Sequence, residues 1–276
     1  MVDRRIQVGF LAPAAVIFLL FFLLPLGALF VAASSEGLGA FRRLFADPLF
    51  WRGLTGSLIL GTVAPLGSVV VGFGVALHLS RLSQGLRTAL MFVIALPLTF
   101  SGLIVAYGFI LLLGRAGFVT LALAKLGFDP AVVGSFIFSP AGLGLAYSYY
   151  LIPRVVMVVL PVIRNFDMSQ LLAAESLGAP SWRVLGDILL PQIFPALARA
   201  FCLTAAVAIG AYGTALALVG TQLNILPLLL YSKISETGTD FPAASALSVV
   251  LLAICCLIIG VSEAVDGARQ PSDSAA

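Results

Sequence analysis

AAESLG at residues 173–178 and ILLP at residues 188–191 form a polar, glycine-broken island between two long apolar runs of the chain. The runs cover about residues 141–163 and 196–220, and each is long enough to cross a bilayer core of about 30 Å as a helix. A charged, helix-forming insert in such surroundings is typical of a surface on which another protein docks. The island therefore predicts a membrane protein with a partner outside the bilayer.

The rest of the chain is equally apolar. Hydrophobic residues make up 61% of the sequence and charged residues 10%, whereas a soluble domain carries about a quarter charged residues. Helix is the form expected of long apolar runs, because lipid offers backbone polar groups no partner outside their own segment. Six such runs cover about residues 8–33, 54–80, 88–113, 141–163, 196–220 and 242–263. The predicted fold class is all-α, a polytopic membrane protein of about six transmembrane helices.

These runs divide the chain into three segments. Residues 1–53 are expected to hold an N-terminal tail, the first transmembrane helix and an outer loop, and residues 54–263 a core of five helices. Residues 264–276 are small and polar, which predicts a disordered tail. The first run is well beyond the roughly 7–15 residues of a signal-peptide core, so we expect a retained helix. Lys and Arg are nearly balanced between the two sets of loops and do not orient the chain.

The island has the signals of a short, sharply ended helix. Asp167 stands where its carboxylate can accept hydrogen bonds from the first free N–H groups. Gly178 can end the helix in the left-handed conformation, and Pro180 prevents its continuation. Trp182 and Arg183 follow, and both residue types are common in the energetic centres of interfaces. A second short helix is predicted to lead from there to Pro191.

The spacing resembles the EAA loop of the permease subunits of binding-protein-dependent ABC importers. The consensus of that loop is Glu-Ala-Ala, three residues, Gly, nine residues, then Ile-x-Leu-Pro. Six positions match the consensus, namely Ala173, Ala174, Gly178, Ile188, Leu190 and Pro191. Leu172 stands where the family has its leading Glu. Glu175, three residues later on a neighbouring part of the same helix face, is our hypothesis for a partial replacement.

The resemblance implies a function and a set of partners. The EAA loop of the family faces the cytoplasm and docks onto a separate cytosolic ATPase, expected as a homodimer, which binds ATP and Mg²⁺. A second permease, either another copy or a related chain, completes the translocation path, and an extracytoplasmic solute-binding protein delivers the solute. The chain would then lie in a bacterial inner membrane with both termini in the cytoplasm. The nearest resemblance is to permeases for polyamines, ferric iron, thiamine, sulfate or organophosphonates.

The chain itself shows no signs of chemistry. A phosphate-binding loop needs a lysine after a glycine-rich turn, and neither Lys125 nor Lys233 has that setting. No grouping of His, Cys and carboxylates indicates a metal site, no basic run suggests nucleic acid, and no cofactor is expected. An ATP-independent secondary transporter or channel is the alternative, and it would need carboxylates within the spans for ion coupling.

Polar residues within the apolar runs are the candidates for a translocation path. A charge at membrane depth is costly and usually faces a cavity or a partner, so Arg154 could either meet an anionic solute or extend toward the cytoplasmic end of its helix. The other candidates are Ser101, Tyr107, Tyr147, Tyr150, Tyr212 and Thr214. The predicted solute is small and charged. The family resemblance leans to a polyamine, whereas Arg154 favours an anion.

Overall fold

The computed structural model describes residues 13–167, 169–220, 222–235 and 240–267, so the first residues and most of the predicted tail lie outside the described part. Its regular structure there consists entirely of helices. In chain order the helices are α1 (Pro13–Ser34), α2 (Gly39–Ala46), α3 (Pro48–Ser80), α4 (Gln84–Ala95), α5 (Gly102–Leu113), α6 (Phe118–Ala124), α7 (Pro130–Ser135), α8 (Pro140–Arg164), α9 (Ser169–Ser176), α10 (Trp182–Gly210), α11 (Gly213–Val219), α12 (Leu226–Ser235) and α13 (Phe241–Gly267).

Six segments of the described chain are long and apolar enough to cross a membrane. They are α1, α3, α5 together with α6, α8, α10 and α13. This confirms the predicted all-α polytopic fold with about six spans. Many large apolar side chains on these helices are exposed, such as Phe21, Val31 and Ile59, as expected where the solvent is lipid rather than water.

Helix α8 is the centre of the bundle, packed between α3 and α10. Close approach to α3 is possible because α3 presents small buried residues at intervals of about one turn, including Ser57, Gly61, Ser68 and Gly72. A Cβ atom at Gly72 would lie 2.7 Å from Cγ1 of the buried Val155. Small residues that let helix backbones approach are a common device of membrane helix packing.

The third predicted span, about residues 88–113, is wrong as one helix. Helix α4 and a 3₁₀ turn over Leu96–Thr99 end before Phe100, whose backbone is extended, and α5 then begins. Pro97 lacks the N–H that would continue the helical bonding. The Ser101 side chain accepts the N–H of Ile104 and thereby caps α5. The sequence joins two helices through a polar break that average hydropathy conceals.

The fifth predicted span, about residues 196–220, is wrong at both ends. Its helix α10 begins at Trp182, so the second short helix expected before Pro191 is instead the start of this span. A π-helical turn at Leu185–Leu189 precedes Pro191, and such a turn re-routes the bonds that a proline would break. The span ends at Gly210, and after a break at Ala211 the chain continues in the separate helix α11.

Contacts define two ends of the bundle. Residues 167–191, called the connector from here on, meet the start of the α3–α4 turn, since Leu171 and Glu175 line one cavity with Ser80 and Arg81. At the opposite end, ion pairs join residues of α2 and α12 to the segments that precede α2 and α3. Arg43 binds Glu36 at 2.6 Å, and Lys233 lies 3.3 Å from Asp47. The connector therefore lies at the same end of the bundle as the short α3–α4 turn.

Candidate functional site

Two helix breaks meet inside the bundle, beside the middle of α8. One break precedes α5 and the other precedes α11. The Thr214 hydroxyl donates to the carbonyl of Gly102 at 3.0 Å and ties the two helix starts together. A side chain at Gly102 would collide with Thr214 Oγ1, so this contact requires glycine.

A cleft of about 300 Å³ opens between the breaks. Its walls include Phe100 and Gly102 from the first break, Tyr212 and Thr214 from the second, and Tyr150 and Arg154 from α8. The space that these residues enclose is called the cleft from here on. Backbone that leaves the helical form within a membrane protein is tolerated where it is buried in protein or lines a water-filled cavity, and residues of both breaks line this cleft.

The Arg154 side chain is directed toward the cleft. Its Nη1 donates to the carbonyl oxygen of Tyr150 at 2.7 Å, one turn toward the start of α8. The guanidinium carbon lies 5.5 Å from the centre of the Tyr150 ring. Arg154 is about 15 Å along the helix from Arg164, at 1.5 Å per residue. The guanidinium therefore points away from the connector end and does not extend to it.

Two tyrosines of α8 differ in how their hydroxyls are satisfied. The Tyr147 hydroxyl donates to the carbonyl of Ala211 at 2.7 Å and holds the second break against α8. Tyr150 is 7% exposed, and its hydroxyl has no hydrogen-bond partner in the described part of the chain, although Thr214 lies nearby. A buried hydroxyl left without a partner costs about 1–3 kcal/mol. Tyr150 thus has an unused donor at the wall of the cleft.

The structure brings together four of the seven predicted path residues. Tyr150, Arg154, Tyr212 and Thr214 line the cleft. Ser101 and Tyr147 support it from behind, as a helix cap and as a bond between elements. Tyr107 lies outside it, since 56% of its surface is exposed on the outer side of α5. Phe100 and Gly102 were missed, although the sequence Pro97-Leu-Thr-Phe-Ser-Gly102 contains the helix-breaking residues that signal the site.

The connector contains a short helix with a defined start and stop. Asp167 Oδ1 accepts the N–H of Ser169 at 3.0 Å, and the hydroxyl and N–H of Ser169 lower the pKa of the Asp167 carboxyl. At the other end Gly178 has φ +83°. The N–H of Gly178 reaches the carbonyl of Glu175, and that of Ala179 reaches Ala174. This pair of bonds is the Schellman arrangement that ends helices at glycine, and it confirms both predicted caps.

One side of the connector is bound to the bundle. Leu171 and Leu185 pack against the core formed by α3, α8 and α10. Gln192 donates from Nε2 to Oε1 of Gln170 at 2.8 Å and links α9 to the fifth span. Glu175 lines a cavity of about 340 Å³ together with Arg81 and Leu189. A displacement of α9 would therefore be transmitted to α3, α8 and α10 together.

The other side of the connector exposes apolar surface. Leu172 is 64% exposed, Leu177 88% and Trp182 70%. The Arg183 guanidinium lies 5.4 Å from the centre of the Trp182 ring. Of the remaining motif residues, Ala173, Glu175, Leu190 and Pro191 are exposed, while Ala174 and Ile188 are half-buried. Large apolar residues exposed together mark an interaction site.

Helix breaks around a polar cleft, together with a capped helix between two spans, define a membrane transport component. Residues 68–268 match the family described as the binding-protein-dependent transport system inner membrane component. The chain belongs to this family, and it is a multi-pass permease subunit of a binding-protein-dependent ABC importer. Members of the family are transport components and not enzymes.

Relatives of this chain include permeases for solutes of opposite charge. It is 30% identical over 270 residues to sulfate permease 2 of the Chlamydomonas reinhardtii chloroplast, and the alignment covers 97% of this chain and 71% of the relative. It is 28% identical over 263 residues to the sulfate transport system permease CysT of Escherichia coli, covering 93% and 92%. It is 27% identical over 213 residues to the spermidine/putrescine permease PotB of Salmonella typhimurium, covering 77% and 74%.

Solved structures share the fold. A chain of the bacterial alginate ABC transporter, crystallised with a periplasmic protein that holds an alginate pentasaccharide, superposes with a TM-score of 0.75 at 20% identity. The match covers 93% of this chain and 92% of that one. A second alginate transporter structure gives a TM-score of 0.74 at 20% identity, covering 96% of both chains. The arrangement of the spans is thus that of a known importer.

Proposed function

We propose that this permease carries a small charged solute inward, and that the connector couples its spans to a separate cytosolic ATPase. The observation that carries the proposal is the two-sided connector. It exposes Leu172, Leu177 and Trp182, while its other side is packed on the bundle. A short, capped, rigid element joined to several spans is what mechanical coupling requires.

The proposal sets the orientation and the partners. The connector lies in the cytoplasm, and both termini lie there as well. The membrane that holds the chain is the bacterial inner membrane. The ATPase, as a homodimer, binds ATP and Mg²⁺, and this chain binds no cofactor. A second permease, identical or related, supplies the other half of the path, and a solute-binding protein docks at the opposite end, beside Arg43 and Lys233.

Movement of the connector is expected to act on the cleft. The second half of helix α8 runs from the cleft to Arg164, just before the connector, and α10 begins within the connector and ends at the second break. Both helices therefore join the connector to elements that line the cleft. Rigid-body displacement of α9 by the ATPase would therefore shift the two breaks relative to each other and change access to the cleft.

Gly178→Val tests the coupling. Nothing lies within 4 Å of a Cβ atom at Gly178, but φ is +83°, and a side chain there costs about 1–2 kcal/mol. We expect recovery of the ATPase with the tagged permease, and solute uptake by intact cells, to fall together at least about five-fold, since 1.4 kcal/mol corresponds to about ten-fold. The amount of permease in the membrane should stay unchanged.

Gly186→Val is the matched control. Gly186 lies in the same connector, also has open space around its Cβ position, and has no positive φ. Its substitution should leave ATPase recovery and uptake at the wild-type level. Uptake that persists in Gly178→Val without recovered ATPase would refute coupling and favour an ATP-independent transporter.

Glu175→Lys tests whether this residue replaces the family's leading Glu. A hydrogen bond to a charged group contributes about 1.5–3 kcal/mol, so reversal of the charge should weaken ATPase binding about ten-fold or more. Titration of the purified permease with the ATPase measures the effect. The exposed Glu263, on α13, is the control, and Glu263→Lys should bind normally. Normal transport and ATPase binding in Glu175→Lys would rule out the replacement.

A further inference from the structure

We propose that the cleft is a contact site for a small oxyanion on the translocation path, held by Arg154 and Tyr150. The inference rests on the proposed function, which it deepens by naming the charge of the solute. No carboxylate lines the cleft among the described residues, and the charged side chain in that lining is the guanidinium of Arg154.

Arg154 supplies the charge. Among the described contacts, one of its five N–H donors is used, in the bond from Nη1 to the Tyr150 carbonyl. The remaining donors form a planar fork, a geometry that matches the paired oxygens of carboxylate and phosphate groups. Arg154 lines the wall of the cleft and is only half-buried, so its side chain is accessible from the cleft.

Tyr150 supplies a second donor. Its hydroxyl is buried and has no partner in the described part of the chain. The neighbouring Thr214 hydroxyl donates its own proton to the carbonyl of Gly102. An oxyanion in the cleft would receive the Tyr150 proton in a charge-assisted hydrogen bond, which is about twice as strong as a neutral one.

The start of α5 adds to the same preference. Gly102 is the first residue of this twelve-residue helix and lines the cleft. The first N–H groups of a helix lack intrahelical partners and carry its positive partial charge. The lining of the cleft thus includes a guanidinium, a hydroxyl without a partner among the described residues, and the first residue of a helix.

A cation would meet the opposite conditions. Tyrosine and phenylalanine rings do line the cleft, and such rings can hold cationic ligands. However, the face of the Tyr150 ring already has Arg154 over it, 5.5 Å from the ring centre. A second positive charge there would be repelled by the guanidinium, with no carboxylate of the described lining to offset it. The cleft therefore favours sulfate-like anions over polyamines.

The test is uptake by cells that carry the whole transport system. Wild type and Arg154→Ala, Arg154→Lys and Tyr150→Phe are given labelled sulfate, phosphate, methylphosphonate, spermidine or thiamine in separate assays. We expect wild type to take up an oxyanion. Its maximal uptake rate should fall at least ten-fold in Arg154→Ala and several-fold in Tyr150→Phe, with partial recovery in Arg154→Lys because the charge is kept.

Two controls separate a lost contact from a lost fold. Tyr149→Phe changes the adjacent tyrosine, which packs edge-on against Phe109 outside the cleft, and Arg52→Gln changes an exposed arginine of α3. Both should transport at the wild-type rate. Recovery of the ATPase with each variant shows that the complex is assembled.

Two results would overturn the proposal. One is uptake of spermidine or thiamine by wild type with no uptake of any oxyanion. The other is a wild-type rate of oxyanion uptake in Arg154→Ala. By contrast, oxyanion uptake that depends on Arg154 in a system from which no ATPase is recovered would support the cleft site and refute the proposed coupling.

Discussion

Trp182→Ala is expected to weaken binding of the cytosolic ATPase about 30-fold, without removing the permease from the membrane. Trp182 is 70% exposed at the start of α10, with Arg183 against its ring. Truncation of a central aromatic residue of an interface costs about 2 kcal/mol or more, which corresponds to about a 30-fold loss of affinity. Titration of the purified permease with the ATPase in detergent measures the change.

The chain offers a matched control in its only other tryptophan. Trp51 is 52% exposed at the opposite end, where its Nε1 donates to the carbonyl of Phe45 at 2.9 Å. Trp51→Ala should therefore bind the ATPase with wild-type affinity. Equal affinities of wild type and Trp182→Ala would show that the connector does not dock through its apolar surface.

Gly72→Leu is expected to prevent stable packing of the central helices. A Cβ atom at Gly72 would lie 2.7 Å and 2.8 Å from Cγ1 and Cβ of Val155, and 3.3 Å from the carbonyl oxygen of Ile152. Val155 is fully buried on α8, so the two helices must separate to admit a larger side chain. Overpacking of this kind costs up to about 3 kcal/mol. Fluorescence-detected size exclusion and thermal unfolding in detergent would report the loss.

Gly74→Leu, two residues further along α3, is the control for this prediction. No atom lies within 4 Å of a Cβ position at Gly74, and the residue is exposed. Its leucine variant should elute as a single folded species with the thermal midpoint of wild type. If Gly72→Leu matched it, the close contact between α3 and α8 would not be needed for the fold.

Composition and run length were enough to predict the class of fold, because the requirement for backbone bonds in lipid leaves few alternatives. They were not enough to locate the two helix breaks. The breaks at Phe100–Ser101 and Ala211–Tyr212 lie within apolar sequence, so they appeared as parts of the third and fifth spans. Only residue-level signals, such as Pro97 and the serine cap at Ser101, distinguish a break from a continuous span.

The two sites differ in how much the sequence could predict. The caps of α9 follow from local chemistry, which is why Asp167 and Gly178 were predicted correctly. The cleft depends on which face each residue turns inward. Tyr107 was selected because it is polar within a span, but α5 is apolar on every face, so the sequence offers no stripe from which its orientation could be predicted. The meeting of the two breaks is a tertiary contact without a local signal.

The most direct measurement is purification of the tagged chain from its native host in mild detergent, with mass spectrometry of the proteins that accompany it. The account predicts that a cytosolic ATPase and a permease partner, or a second copy of this chain, are recovered with wild type. It also predicts that the ATPase is lost, and the permease partner kept, with Gly178→Val. Recovery of wild type as a stable, folded chain without any ATPase would contradict the account.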